Sequence, residues 1–462
     1  VQYVSTRAQA PVLSFDDVLL AGLARDGGLY LPESWPHFSY SDIRAMRGLS
    51  YADLATKVMY PFVEGSIPEN DFAGLVADAY KGFTHEAVAP LKQLRSDQWV
   101  MELFHGPTLA FKDFALQLLG RLFDYILGKR GEKITIVGAT SGDTGSAAIE
   151  ACRDRESINI FILHPKGRVS EVQRRQMTTV GSSNVYNVAL EGTFDDCQDA
   201  VKAMFNDMDF RDAHNLSAVN SINWARIMAQ IAYYFWAAVQ VGAPDRRLRF
   251  SVPTGNFGNV FAGYCAQQMG LPIDQFIIGS NRNDILTRYF ETGEMVMETV
   301  EPSLSPSMDI QISSNFERLL AQVYDKDGVD LTDAIKRFRN EGRVDFGKER
   351  WAALCQDFKA QRLSDDETKA AIKKFYETTG ELLDPHSVIG CQAAFDKPLS
   401  DVVTVSLATA HPAKFPDAVE AASGIRPELP AFLADLFERE ERFVVQPNDL
   451  DVLKTYVKET VA

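Results

Sequence analysis

From residue 99 onward, short apolar runs alternate with helical segments, and this alternation constrains the fold more than any other feature of the chain. The runs at 99–104, 134–137, 158–163, 185–190, 248–252 and 402–407 are too short for helices and rich in Val, Ile and Phe. Continuous apolar runs of this kind suit parallel strands buried on both faces. The stretches 110–127, 144–152, 194–205 and 222–241 carry helical spacing between them. The order predicts an α/β fold with doubly wound, mostly parallel sheets, which gathers its ligands at the carboxyl ends of the strands.

The flanks read differently. Residues 15–23, 51–62 and 72–83 have helical apolar spacing, and 316–324 and 366–376 are charged amphipathic helices. A chain of 462 residues exceeds what one core sustains. The expected division is an N-terminal helical region (1–95), a large cofactor-binding domain (96–130 and 221–462) with a helical insertion at about 300–384, and a small α/β domain (131–220). A cleft between domains is the natural place for a site.

With 63 acidic against 47 basic residues, the net charge of −16 argues against nucleic acid or an anionic membrane as partner. No apolar run approaches the roughly 20 residues needed to span a bilayer. The first residues lack the pattern of a secretory signal, so a cytoplasmic location is expected. Cys152, Cys197, Cys265, Cys355 and Cys391 are far apart and never in CxxC spacing, and the seven histidines have no metal-like spacing. Reduced cysteines and no metal are expected.

Chemistry concentrates in three segments. Lys112 lies in His105-Gly106-Pro107-Thr108-Leu109-Ala110-Phe111-Lys112-Asp113, near the start of a predicted helix, where Phe111 and its apolar neighbours would desolvate the amine and lower its pKa. Thr140-Ser141-Gly142-Asp143-Thr144-Gly145-Ser146 joins a strand to a helix and would aim amides and hydroxyls at an anion, or form an ordinary capped turn. It is no Walker motif, because no Gly-Lys-Ser/Thr follows. Thr254-Gly255-Asn256-Phe257-Gly258-Asn259 also links a strand to a helix, either as a phosphate-cradling nest or as a plain turn. An imine-forming lysine, an anion loop and a phosphate loop together are the parts of a pyridoxal 5'-phosphate site.

Ser221, Asn223 and Arg226 open the long helix within about one turn of one another, and the arginine fork suits a second phosphate; the same letters also make a plain helix start. The basic run containing Lys166, Arg168, Arg174 and Arg175 reads better as a solvated helix face than as a polyanion site.

The combination resembles the threonine synthase family, in its longer form with an N-terminal helical extension. Ser5-Thr6-Arg7, the segment 22–30, the Lys112 segment, 140–146, 221–226, 254–259, 307–318 and 408–415 carry the likeness. The resemblance implies fold type II of the pyridoxal-phosphate enzymes and conversion of O-phospho-L-homoserine and water to L-threonine and phosphate. It implies Lys112 as the Schiff-base lysine, Gly255, Asn256, Phe257, Gly258 and Asn259 around the cofactor phosphate, and Thr409 near the pyridine nitrogen. Thr140, Ser141, Thr144, Ser221, Asn223 and Arg226 match positions that receive the substrate. Asp143 stands where much of the wider fold type has asparagine near the cofactor's 3-oxygen, and two anionic oxygens there would repel unless one is protonated. The rival readings are a phospholyase or hydroxy-amino-acid dehydratase, and a non-catalytic cofactor-binding regulator. Monomer and homodimer both remain open.

Overall fold

Two mostly parallel sheets organise the computed structural model, which describes residues 1–324 and 327–461. The larger runs in the order Phe358–Arg362, Ile273–Ser280, Leu248–Pro253, Val403–Ala408, Gln98–Glu102, Leu91–Arg95. Its neighbours pair in parallel except for the last two, which form an antiparallel pair. The smaller is all parallel, in the order Val444–Pro447, Val185–Glu191, Ile158–Pro165, Ile134–Ala139, Leu216–Ser217.

The central strands explain why the apolar runs were legible. All six residues of Leu248–Pro253 and of Val403–Ala408 are buried, as expected for strands covered on both faces. Arg249 sits in that wall because Thr404 accepts from its Nε at 2.7 Å. The expected helices form as Lys112–Arg130, Asp143–Cys152, Phe194–Asn206, Trp224–Gln240 and Gly258–Gln268. Trp224–Gln240 is buried from Trp224 to Val239 and packs against Tyr51–Val63, Lys112–Arg130 and Gly258–Gln268. The N-terminal helices thus share the main core.

Several strands escaped the sequence reading, and all but one fall at edges or in short ribbons. Leu91–Arg95, inside the expected helical region 1–95, joins the larger sheet, and Tyr3–Ser5 pairs with Tyr30–Pro32. Phe358–Arg362 forms an edge strand within the expected helical insertion, and Glu294–Val296 pairs with Arg343–Asp345. Val444–Pro447 returns to the smaller sheet, beyond the expected limit of 131–220, and Leu450–Val461 packs there on Phe194–Asn206. Edge strands tolerate polar side chains on an open face, so Phe-Lys-Ala-Gln-Arg has no apolar run to announce it. Ile273–Ser280 is an inner strand, but Asp274 and Gln275 interrupt its pattern.

Candidate active site

Lys112 is the first residue of its helix, and the loop before it is tied down at both ends. The Thr108 amide and hydroxyl donate to the Asp113 carboxylate at 2.9 and 2.6 Å, folding the loop back over the helix start. The Phe111 amide donates to the Thr409 carbonyl at 2.8 Å and the His411 amide to the Leu109 carbonyl at 3.0 Å. Lys112 is thereby fixed at the carboxyl end of the strand Val403–Ala408, where a doubly wound sheet places its ligands. Its residue is 9% exposed, and Nζ lies 3.3 Å from both Asp143 Oδ2 and Ser307 Oγ. Burial lowers the Lys112 pKa below the ordinary lysine value, Asp143 opposes this, and Lys414 and Arg226 reinforce it.

Asp143, the first residue of its helix, is the hub of the site. Its Oδ1 takes Lys414 Nζ at 2.8 Å and Gln173 Nε2 at 2.8 Å, and its Oδ2 takes Lys112 Nζ and, at 3.1 Å, the Ser307 hydroxyl. Burial alone would raise the Asp143 pKa; the Lys112 and Lys414 ammonium groups, with His386, outweigh it and hold the carboxyl well below its usual value. Gly142 leads in at φ +143°, and a Cβ there would lie 2.5 Å from the Gln173 carboxamide. Only glycine fits both the backbone and the space.

The loop after Leu248–Pro253 is shaped as a cradle. Phe257 adopts the left-handed conformation at φ +59°, and the helix Gly258–Gln268 starts immediately after it. The first amides of that helix are the donors that a helix start leaves without intrahelical partners. Ser313 donates to the Gly255 carbonyl at 2.7 Å, which turns that peptide's oxygen away from the cradle and into the 305–315 segment. A Cβ on Gly255 would meet the Ser307 carbonyl oxygen at 2.9 Å. Ser307 therefore touches both Lys112 and the cradle, joining the amine to the turn. The Asn259 Oδ1 accepts from the Tyr233 and Tyr234 hydroxyls at 2.6 and 2.9 Å, while its Nδ2 has no protein acceptor.

The other expected site residues divide by what their polar atoms already do. Arg226 is buried; its Nη1 donates to the Val219 carbonyl at 3.0 Å and its Nε has no protein partner. Burial pushes its pKa down to about 10, and no described carboxylate lies within ion-pair distance of it. A desolvated guanidinium without a counter-charge is costly, and an anion placed beside it would compensate it. Asn223, expected among the substrate contacts, has protein partners: its Oδ1 caps the helix through the Ala225 amide at 3.0 Å and its Nδ2 donates to the Leu19 carbonyl at 2.9 Å. It orients the helix that bears Arg226. Thr140 is similarly occupied, since its hydroxyl oxygen accepts from the Gly142 and Gly145 amides at 3.0 and 2.9 Å. Ser141, Thr144 and Ser221 are half-buried, and Thr409 is buried with its amide held by the Ser387 hydroxyl at 2.8 Å.

Lys414, Ser307, Gln173, His386 and Asn315 complete the site without having been singled out individually. Three of them lie in segments 307–318 and 408–415, which the resemblance had marked; Gln173 and His386 carried no signal. His386 Nδ1 contacts Asp384 Oδ2 at 2.8 Å, and the Ser307 amide donates to its Nε2 at 3.3 Å. This pairing assigns the ring proton to Nδ1. A buried amine of lowered pKa, an amide cradle with no room for a Cβ, and an unpaired guanidinium fit an aldehyde cofactor that carries phosphate beside an anionic substrate. Among the described residues no cluster of His, Cys, Asp or Glu is arranged to hold a metal, and no helix is long and apolar enough to cross a membrane.

Three family models match the chain: Threonine synthase N terminus over residues 2–80, Pyridoxal-phosphate dependent enzyme over 84–344, and Threonine synthase, C-terminal over 387–457. A threonine synthase of Pseudomonas aeruginosa is 56% identical over 461 residues, spanning 99% of this chain and 98% of that protein. The crystal structure of pyridoxal-phosphate-bound threonine synthase from Brucella melitensis superposes with a TM-score of 0.98 at 55% identity, covering 99% of both chains. The yeast threonine synthase structure gives a TM-score of 0.94 at 39% identity, covering 100% of this chain and 98% of the other.

Proposed function

The chain belongs to the threonine synthase family, and we propose that it converts O-phospho-L-homoserine and water to L-threonine and phosphate. It is a lyase whose cofactor is pyridoxal phosphate. The observation that supports this substrate over a non-phosphorylated amino acid is Arg226, a buried guanidinium with a free Nε and no carboxylate partner among the described residues. A hydroxy-amino acid brings a single anionic group, its carboxylate, whereas O-phospho-L-homoserine adds a phosphate that the guanidinium fork fits.

Lys112 would hold the cofactor, with the amides of Gly255 to Asn259 on its phosphate and Thr409 toward the ring nitrogen. When bound, the ring supplies a sink for the electron pair left by removal of a proton next to the amino group. Lys112, its pKa lowered by burial, is suited to take and return protons at the α and β carbons of the substrate. Arg226, with the hydroxyls of Ser221, Ser141 and Thr144, would hold the two anionic ends of the substrate. Thr140 and Asn223 keep their loops in shape. The buried walls around Lys112 exclude stray water until the step that requires it.

The test is a visible spectrum of the purified holoenzyme followed by product identification with O-phospho-L-homoserine. Threonine and phosphate in equal amounts support the reading. A ketoacid with ammonia would replace it with a phospholyase or dehydratase, and no turnover with the cofactor bound would favour a regulator.

A further inference from the structure

We propose that Lys414 is a positioning residue for the cofactor-bearing lysine: its ammonium group neutralises Asp143 permanently, so that Lys112 can give up its charge without leaving a buried carboxylate unpaired. The inference rests on Lys112 as the cofactor-bearing amine.

Two ammonium groups face one carboxylate. Lys414 is fully buried and lies 2.8 Å from Asp143 Oδ1; Lys112 lies 3.3 Å from Oδ2. A buried ammonium without a counter-charge costs several kcal/mol, so Lys414 requires this carboxylate. Its second bond, to the Thr108 carbonyl at 2.7 Å, ends on the residue that clamps Asp113 at the start of the Lys112 helix. Its place is set by the short turn Pro412–Lys414, which His411 caps by accepting from the Ala413 amide at 3.1 Å. Nothing in that geometry depends on Lys112. The shorter pair is permanent, and the longer pair is the one that can be released.

The charges around the cluster agree with this division. Asp143 is faced by Lys112, Lys414 and His386, with Gln173 and Ser307 donating as neutral groups. Lys112 is faced by Asp143, Lys414 and Arg226, so two of its three charged neighbours repel its proton. Asp113 is drawn to Lys414 as well, but its oxygens are taken by Thr108. Once Lys112 has turned to the cofactor, Lys414, Gln173 and Ser307 still donate to Asp143, so its charge stays compensated beside an anionic oxygen of the cofactor. The aspartate in place of asparagine is then accounted for by the lysine that accompanies it.

Lys414→Met, Asp143→Asn and the double variant separate the possibilities, read by the pH midpoint of the visible absorbance of each holoenzyme and by its thermal midpoint. Lys414→Met leaves Asp143 to Lys112 alone, and should raise the proton affinity of the lysine–cofactor link about tenfold, an upward shift of roughly one pH unit. Asp143→Asn leaves Lys414 buried and unpaired and should lower the thermal midpoint; adding Lys414→Met should recover most of that loss. Lys414→Arg, which keeps the charge, should stay near the wild-type pH midpoint. An unmoved midpoint in Lys414→Met, an equal shift in Lys414→Arg, or additive losses of stability in the double variant would each overturn the proposal. Should Lys414→Met fail to fold, the double variant decides: recovery supports the pairing, and no recovery refutes it. Loss of the visible band in Lys112→Ala tests the cofactor site separately, so a band lost there with an unmoved Lys414→Met midpoint removes Lys414 alone.

Discussion

Asn315 donates twice to one atom: its backbone amide reaches the Asn256 carbonyl at 3.1 Å and its side-chain Nδ2 reaches the same oxygen at 3.0 Å. The same Nδ2 also contacts the Ser221 carbonyl at 3.2 Å, and Arg318 grips the Asn315 Oδ1 while donating to the Ile222 carbonyl at 2.5 Å. The turn at 254–259 and the start of the Arg226 helix therefore share one carboxamide.

Asn315→Ala should weaken cofactor retention about tenfold or more, since it removes buried hydrogen bonds of about 1 kcal/mol each and leaves Arg318 Nη1 without its partner. Fluorescence titration of the apoenzyme with pyridoxal phosphate measures it. Unchanged affinity would show that the backbone amide suffices.

Arg226→Lys should raise KM for O-phospho-L-homoserine by roughly ten- to a hundredfold, because a single ammonium cannot reproduce the planar fork of a guanidinium. The turnover number should change less. Steady-state kinetics, with inorganic phosphate as a competing inhibitor, checks it: phosphate inhibition should weaken in parallel. Equal inhibition in both enzymes would place the phosphate elsewhere.

Gly255→Ala should lose cofactor binding, because its Cβ would sit 2.9 Å from the Ser307 carbonyl oxygen and 3.2 Å from Met308 Cα, both main-chain atoms that cannot swing aside. The visible band should be absent while far-ultraviolet circular dichroism stays near wild type. A normal band would mean that the 307–308 segment yields at little cost.

His411 predicts an acid-side weakness. Burial, reinforced by His105, depresses its pKa to about 4. Between that value and the unfolded value of about 6.5 the unfolded chain binds a proton that the folded chain does not, so stability falls as pH drops through this window. His411→Asn keeps an acceptor for the Ala413 amide and removes the titration. The wild type should lose on the order of 2 kcal/mol relative to the variant between pH 7 and 4, allowing for partial solvent access to the ring. Parallel denaturation curves at both pH values would refute this.

The apolar runs at 134–137, 158–163 and 248–252 announced their strands because a parallel strand between two helical layers is buried on both faces. Lys112, Gly255 and Arg226 were legible as local chemistry for a related reason: a lysine at a helix start and glycines at a strand end already suggest what the backbone must do there. Phe358–Arg362 and Val444–Pro447 were not, since an edge strand is defined by the neighbour it finds and not by its own residues. The ion pair of Lys414 with Asp143, 271 positions apart, and the double grip of Asn315 on Asn256 were equally invisible. By itself the sequence determined the fold class and singled out the amine and the glycine turn proposed to hold the cofactor, all consequences of short-range pattern. Only the tertiary structure decided which polar atoms already have protein partners, those of Asn223 and Thr140 among them and the Arg226 Nε not, because hydrogen bonds and buried charges are settled by proximity in space.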